Sequence, residues 1–475
     1  MGQGAAFFDL DRTLLSGASG QVFSGALRDA GLASRSIPGE GLVYGLFSRL
    51  GENLPSIALA RQGATFARGR SQQAVRAAAE QAASRLVEMV QPYAGPLLGR
   101  HRAEGRPLIM ATTTPLDLVR PLADALGFDD VLATAFGVAA DGTYDGTIVG
   151  PFVWSNGKLS AVLDWADAHE VDLRESYAYS DSFYDSPLLS AVGHPVAVNP
   201  DASLLLVAVA RGWPVIHLDV PPGVPKVPVL NVEPQQLGLA FMTPLVFPFV
   251  RFHFDGLEHI PAHGAAIVVA NHRSYFDGPA MAVMFGRTHR TVRFLGKKEV
   301  FDAPIIGQVA KALGGIRVER ASGSDEPLQQ AAEALEAGQL IALMPQGTIP
   351  RGPAFFSTVL KGRWGAARLA AMTGVPVIPV GLWGTEKVWP RSSRLPNVWN
   401  VSDPPDVRLC VGPPVELKYR SVDADTKRIM KAITALLPAE AHRRHVPTEA
   451  ELRRTFPPGY KGDPHAEDTR RPGTD

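Results

Sequence analysis

Two short apolar runs constrain this chain most, because each ends abruptly in acid/base residues. Ala5-Ala6-Phe7-Phe8 leads directly into Asp9-Leu10-Asp11-Arg12-Thr13. Ala265-Ala266-Ile267-Val268-Val269-Ala270 leads into Asn271-His272-Arg273-Ser274-Tyr275-Phe276-Asp277. Unbroken apolar runs of this kind fit strands buried on both faces of a sheet. The carboxyl end of such a strand is where an open α/β sheet presents its chemistry. The sequence therefore predicts two α/β units, each with its own site.

The length of 475 residues accommodates two or three domains. Lys plus Arg and Asp plus Glu both total 47, so the chain has no general pull toward nucleic acid, and none is expected as a partner. Cys410 is the only cysteine, which excludes an intramolecular disulfide; in Val407-Arg408-Leu409-Cys410-Val411 it reads as a small core residue. The N-terminus lacks a basic region before its apolar run, so no signal peptide is expected. No run reaches the ~18–20 apolar residues of a spanning helix. Residues 237–250 come closest but are interrupted by Pro244 and Pro248. They are either an interfacial membrane segment or a buried packing segment.

Residues 1–218 alternate strand-like and helix-like stretches, with a mostly helical block at about 15–95 that reads as a cap. Within it, Ser71 to Val90 is Ala-rich and free of Gly and Pro. Strands are expected at Pro107–Ala111, Val131–Thr134 and Tyr177–Ser180, and Asp141-Gly142 and Asp145-Gly146 carry hairpin-turn chemistry. Pro221, Pro222, Pro225, Pro228 and Pro234 give 219–236 the composition of a stiff linker. A second α/β unit is expected over 237–444, and 445–475 reads as a polar, disordered tail.

In the first half four elements occur in order: Asp9 and Asp11; Thr112 at the end of an apolar run; Lys158 in Asn156-Gly157-Lys158; and Asp181 with Asp185 in Asp181-Ser182-Phe183-Tyr184-Asp185. A carboxylate can attack phosphorus, and a second one two residues on can give and take the proton. Clustered carboxylates repel a phosphate unless a cation intervenes, and Mg²⁺ favours a few carboxylates, waters and substrate oxygens. A hydroxyl and an ammonium then hold the other phosphoryl oxygens. The pattern resembles the haloacid dehalogenase superfamily, in its phosphoserine-phosphatase-like branch with a helical cap on a Rossmann-like core. The resemblance implies that Asp9 is the nucleophile, Asp11 the general acid/base, and Thr112 and Lys158 the phosphate clamp. It implies a Mg²⁺ site of Asp9, Asp11 (through its backbone carbonyl) and Asp181, supported by Asp185, and a phosphomonoester substrate.

In the second half, His272 and Asp277 would lie roughly 140° apart on a continuous helix, so a contact between them needs a turn. A His base oriented by a carboxylate can activate an acceptor hydroxyl directly against a thioester. The surrounding blocks are Gly315-Ile316-Arg317-Val318-Glu319-Arg320, Met344-Pro345-Gln346-Gly347-Thr348-Ile349-Pro350-Arg351 and Val375-Pro376-Val377-Ile378-Pro379-Val380. Together they resemble the glycerolipid acyltransferases of the 1-acylglycerol-3-phosphate acyltransferase type. The resemblance implies catalysis by His272 and Asp277 and substrate contacts from Arg317, Gln346, Gly347, Thr348 and Arg351. It also implies a fatty acyl donor on coenzyme A or acyl carrier protein, and a lysophospholipid or glycolipid acceptor. Gln346 and Ile349 stand where that family usually has Glu and Arg, so a relaxed or altered acceptor preference is expected, with Arg317, Arg351 or Lys361 as the residues that could supply the missing charge.

The combined reading is a bifunctional lipid-synthesis enzyme, cytoplasmic and peripherally attached to a membrane surface. Two alternatives are an acyltransferase with a silent N-terminal docking domain, and a lipid-binding scaffold. His253, His259 and His263 read as surface or loop residues. Trp364, Trp383 and Trp389 read as core packing or as an acyl groove.

Overall fold

Strand β1 (Ala6–Phe8) is fully buried and pairs in parallel with β2 (Leu108–Pro115) on one side and β5 (Tyr177–Ser180) on the other. The sheet is completed by β3 (Asp130–Val138), β4 (Tyr144–Val149), β6 (His194–Val198) and β7 (Val215–Ile216), in the order β4-β3-β2-β1-β5-β6-β7. In this computed structural model the described residues are 3–33, 54–227, 232–302, 306–318 and 326–465. They divide into two units, Met1–Pro222 and Gly223–Asp475. In the first unit, Phe7, Ile109 and Ala178 pack with Val162, Leu189 and Leu204 of flanking helices. Phe8, facing oppositely as strand alternation requires, stacks on Tyr179 and meets Phe128 edge-on.

Between β1 and β2 lie helices Gly20–Asp29, Leu54–Ala67, Gln72–Val87 and Ala94–Ala103; residues 34–53 lie outside the described residues. The Ala-rich helix starts at Ser71, whose side chain accepts from Ala74 N. Asp117, on helix Leu116–Ala125, holds it by accepting from Gln72, from Arg76 Nε at 2.6 Å and from Tyr144 Oη at 2.8 Å. Asp141-Gly142 forms the β3–β4 turn, with Gly142 at φ 79°. Asp145-Gly146 instead lies within β4, where the pairing with β3 shifts register.

The second unit repeats the scheme. Strand β9 (Ala266–Ala270) is fully buried, between parallel β12 (Leu340–Leu343) and β13 (Val377–Trp383). With β8 (Arg251–Asp255), β10 (Val292–Lys297), β11 (Ile316–Val318) and β14 (Asp406–Val411) the order is β11-β10-β12-β9-β13-β14-β8. Alternate β9 residues serve two cores: Val268 packs with Met284 and Phe285, and Val269 with Leu369 and Ile433. Cys410 sits half-buried on β14.

Two expectations are corrected. The linker reading of 219–236 ends too late, since Pro234 opens helix Pro234–Phe241. Glu233 and Gln235 there are buried on Arg293, itself 1 % exposed, with Arg293 Nη1 2.7 Å from Glu233 Oε2; residues 228–231 lie outside the described residues. The disordered-tail reading of 445–475 fails over its first part. Helix Glu449–Arg454 is closed by a reciprocal capping box between Thr448 and Glu451, and buries Leu452 and Phe456. Residues 466–475 lie outside the described residues.

Residues 237–250 are mixed: Leu239, Phe249 and Val250 are buried, whereas Phe241 and Leu245 are 73 % and 88 % exposed. Among the described residues no helix is long and apolar enough to cross a membrane.

The docking of the C-terminal helix is testable. Leu452→Ala should destabilise the second unit by about 2–5 kcal/mol, the cost of a truncated buried leucine. Denaturant unfolding measures it; an unchanged midpoint would mean that Leu452 is not packed.

Candidate active sites

Both candidate sites lie just past the central strand of a sheet, where the connections diverge to neighbours on either side. In the first unit the chain leaves β1 through a tight turn with Arg12 at φ 61° and ψ −10°. A non-glycine residue rarely adopts that conformation, and it is held here by its surroundings. Thr13, fully buried, donates to Asp181 Oδ1 at 3.3 Å and accepts from Asp181 N at 3.0 Å. Arg12 Nε lies 3.4 Å from Asp181 Oδ2. The β1 turn is therefore tied directly to the turn after β5.

Lys158 enters from helix Asn156–Ala168 and is 1 % exposed. Its Nζ lies 2.8 Å from Asp9 Oδ1 and 2.7 Å from Asp185 Oδ2. Gly157 allows this approach, since a Cβ there would stand 2.0 Å from the carbonyl oxygen of Phe152. Ser180 donates to the same Asp185 oxygen at 2.7 Å. Thr112 is buried within β2, its hydroxyl accepting from Thr114 N. Asp11 Oδ1 accepts from Ser19 N at 2.6 Å, which engages that side-chain oxygen.

Burial pushes Asp9 up to about 6 against the lowering pull of Lys158, with Asp185 adding to the rise. Burial also raises Asp11, partly offset by its bond from Ser19. Among the described residues no three His, Cys, Asp or Glu side chains converge as a metal cage. The donor set still suits a hard cation that takes one or two carboxylates and fills its shell with water and substrate oxygen. Asp185 Oδ1 is buried without a hydrogen-bond partner, and Asp9 is a carboxylate whose charge is under-compensated.

In the second unit, His272 Nδ1 lies 2.7 Å from Asp277 Oδ2. Asp277 is fully buried at the start of helix Asp277–Thr288. The same Oδ2 accepts from Arg273 N at 2.6 Å and Ser274 N at 2.8 Å, and Oδ1 accepts from Thr385 Oγ1 at 2.5 Å. A carboxylate so surrounded by donors is an acceptor, so His272 Nδ1 carries the proton and Nε2 presents a lone pair. Asn271 extends the β9–β13 ladder with its amide, donating to Leu382 O and accepting from Leu382 N. Gly384, at φ 90° and with space for no Cβ against Asp406 O, sets the turn that delivers Thr385. Arg273 forms two 3.0 Å bonds to Glu386 and stacks on Trp383 and Phe355.

The remaining anticipated contacts divide. Gln346 Oε1 accepts from His272 N at 2.7 Å, so it holds the histidine loop and its oxygen is not turned to a substrate. Arg317 is paired with Asp302 at 3.3 Å. Gly347 turns the chain at φ 69°, and Thr348 is half-buried beside it. Ile349 is buried, and Arg351 keeps a buried Nε without a hydrogen-bond partner. Trp383 underlies Arg273, Trp389 packs on the core, and Trp364 is half-exposed. His253 is an exposed partner of Asp406. Thr13 and Ser180 stood within recognised motifs without an assigned task, whereas Thr385 and Glu386 lie over a hundred positions from His272 and carry no local signal.

Two outcomes follow from this geometry. Raising the Asp9 value means the folded state holds that proton more tightly than the unfolded chain. Stability should therefore fall as pH rises from about 4 to about 6 and then level off. Asp9→Asn should remove that loss: without metal, its melting temperature should gain on the native protein across this window. A pH-independent difference would contradict the burial argument. Separately, Gln346→Ala should lower kcat for the His272-dependent reaction about ten- to hundredfold by loosening the histidine, while Gln346→Glu, which keeps the acceptor oxygen, should retain most of it. Equal losses in both would remove the positioning role.

Comparison with known proteins gives a family match in each half of the chain. Residues 6–190 match the family described as haloacid dehalogenase-like hydrolase, and 251–383 the family described as Acyltransferase. The chain is 33% identical over 239 residues to an "Inhibition of morphological differentiation protein" of Streptomyces azureus, covering 49% of this chain and 84% of that one. It is 34% identical over 218 residues to a phosphoserine phosphatase of Mycobacterium tuberculosis, covering 44% and 69%. A solved 1-acyl-sn-glycerophosphate acyltransferase from Thermotoga maritima is 26% identical, with 42% of this chain and 77% of that one covered and a TM-score of 0.33. The chain thus belongs to the haloacid dehalogenase-like hydrolases through its first unit, and is an enzyme that joins this phosphatase domain to a second domain matching the acyltransferase family over residues 251–383.

Proposed function

We propose that the chain hydrolyses a phosphomonoester with Mg²⁺ in its first unit and moves a fatty acyl group from a thioester to a lipid hydroxyl in its second. The phosphatase reading is carried by Lys158 between Asp9 and Asp185. Asp9 attacks phosphorus and forms an aspartyl-phosphate while Asp11 protonates the departing oxygen. Water, deprotonated by Asp11, then releases phosphate from Asp9. The raised Asp11 value suits a group that must hold a proton first. Lys158 and Thr112 would hold phosphoryl oxygens. Asp9, Asp181 and the main-chain carbonyl of Asp11 would hold Mg²⁺, which offsets the repulsion between phosphate and carboxylates.

The acyl-transfer reading is carried by the His272–Asp277 pair at 2.7 Å. His272 Nε2 takes the acceptor hydroxyl proton as the oxygen attacks the thioester carbonyl. Collapse of the tetrahedral adduct expels the thiolate, which takes that proton from His272. Asp277 keeps the imidazole in the required tautomer. The donor is an acyl-coenzyme A or acyl carrier protein, and the acceptor a lysophospholipid or glycolipid. Exposed Phe241, Leu245 and Val246 support peripheral membrane contact at the segment before β8.

Mass spectrometry of lipids incubated with acyl-coenzyme A tests the second reaction: a product one acyl chain heavier should form and vanish with His272→Ala. Phosphate release from a phosphomonoester panel tests the first, and should stop on chelation and return with Mg²⁺. Product formation that survives His272→Ala, or phosphate release indifferent to chelation, would overturn the corresponding half.

A further inference from the structure

Arg273, one residue beyond His272, lines a cavity of about 790 Å³ in the second unit. Its volume falls in the range of sites that enclose small organic ligands, about 300–1,000 Å³. Its wall includes side chains well beyond the matched family region. Arg443, Arg444 and Arg454 come from the C-terminal segment, beyond the last of the recognised sequence blocks.

The charge balance of this wall is one-sided. Six Lys or Arg side chains line the cavity against three carboxylates, Glu386, Glu440 and Glu451. Two of those carboxylates are already engaged, Glu386 by Arg273 and Glu451 by Thr448 and His445. Among the described residues no carboxylate pairs with Arg443, Arg444 or Arg454. Unpaired guanidinium groups gathered around a concavity are suited to phosphate, which they bind in a fork.

The helix that carries Arg454 is also held in place. Thr455 Oγ1 accepts from Gly352 N at 2.8 Å, Ser392 N donates to Arg454 O at 3.3 Å, and Leu452 and Phe456 are buried. The C-terminal helix is thereby fastened to the segment that follows Ile349 and Arg351. Phe355, Phe356 and Leu437 add apolar surface, which fits an organic phosphate better than a bare ion.

We propose that this cavity binds the phosphate groups of a substrate of the acyl-transfer site, with Arg443, Arg444 and Arg454 as its cationic face. The proposal rests on the acyl-transfer reading of His272 and names the recognition that reading lacks. It returns to the site the charge missing at Ile349, from a different part of the chain. The phosphate belongs either to the acceptor head group or to the carrier of the acyl donor.

The test uses the full chain, native and with Arg443→Ala/Arg444→Ala, and separately Arg454→Ala. Calorimetric titration with inorganic pyrophosphate in chelator should show one binding event weakened at least about tenfold in the double variant, as for loss of a charge-assisted contact. In steady-state assays, KM for one phosphate-bearing substrate should rise about tenfold or more while kcat changes less than about threefold. A rise for lysophosphatidate but not for uncharged monoacylglycerol assigns the cavity to the acceptor; a rise for acyl-coenzyme A assigns it to the donor. Unchanged pyrophosphate affinity and unchanged KM values, in variants with native melting temperatures, would overturn the proposal. Should either variant melt early, Arg444→Gln alone, an exposed single replacement, decides the same readings. A native chain without acyl transfer would defeat the parent reading, while the pyrophosphate titration would still decide the cavity.

Discussion

Lys158 and Asp277 are charges removed from water, one an ammonium in the first unit and one a carboxylate in the second. Desolvating either costs several kcal/mol unless the surroundings supply opposite charge or hydrogen bonds. Lys158 receives two carboxylates, and Asp277 receives two backbone N–H groups, a threonine hydroxyl and a histidine. Much of the local architecture follows from these demands. Gly157 must lack a side chain so that Lys158 can reach in, and Gly384 must turn sharply so that Thr385 can reach Asp277. The proposed reactive groups, Asp9 and His272, are the least buried members of these clusters.

The two units reach this arrangement by the same topology with different chemistry. Each has a short central strand, buried on both faces and flanked by parallel neighbours, whose last residue delivers a polar turn. The strand end provides a fixed point, and the neighbouring strands bring partners from distant sequence. In the first unit those partners come from after β5 and from the helix after β4. In the second they come from after β12 and after β13. A rigid base holds each reactive group within the tolerance that proton or group transfer requires.

The strand ends were legible in the sequence because an apolar run stopping at Asp9 or Asn271 has few other readings. Lys158, Asp181 and Asp185 were legible because their motifs carry local spacing. Gln346 was visible as a departure and was read as a substrate contact, whereas its oxygen holds His272 N, a task that Glu and Gln can share. Thr385 and Glu386 were hidden because their partners are brought together by sheet pairing, which leaves no trace in local spacing. The C-terminal helix was hidden by its composition: Leu452 and Phe456 anchor a segment otherwise polar and charged. The Thr448-Glu449-Ala450-Glu451 sequence did carry a capping-box signal that marks a helix start.

The central claim is that one chain holds two chemically independent sites, each organised around its own buried charge. The most direct measurement is the rate of both reactions in a single preparation of each of two variants, Asp9→Asn and His272→Ala. The account requires Asp9→Asn to lose phosphate release and keep acyl transfer, and His272→Ala to do the reverse. If either substitution removed both activities from a chain that still folds, the two sites would not be independent and the account would be wrong.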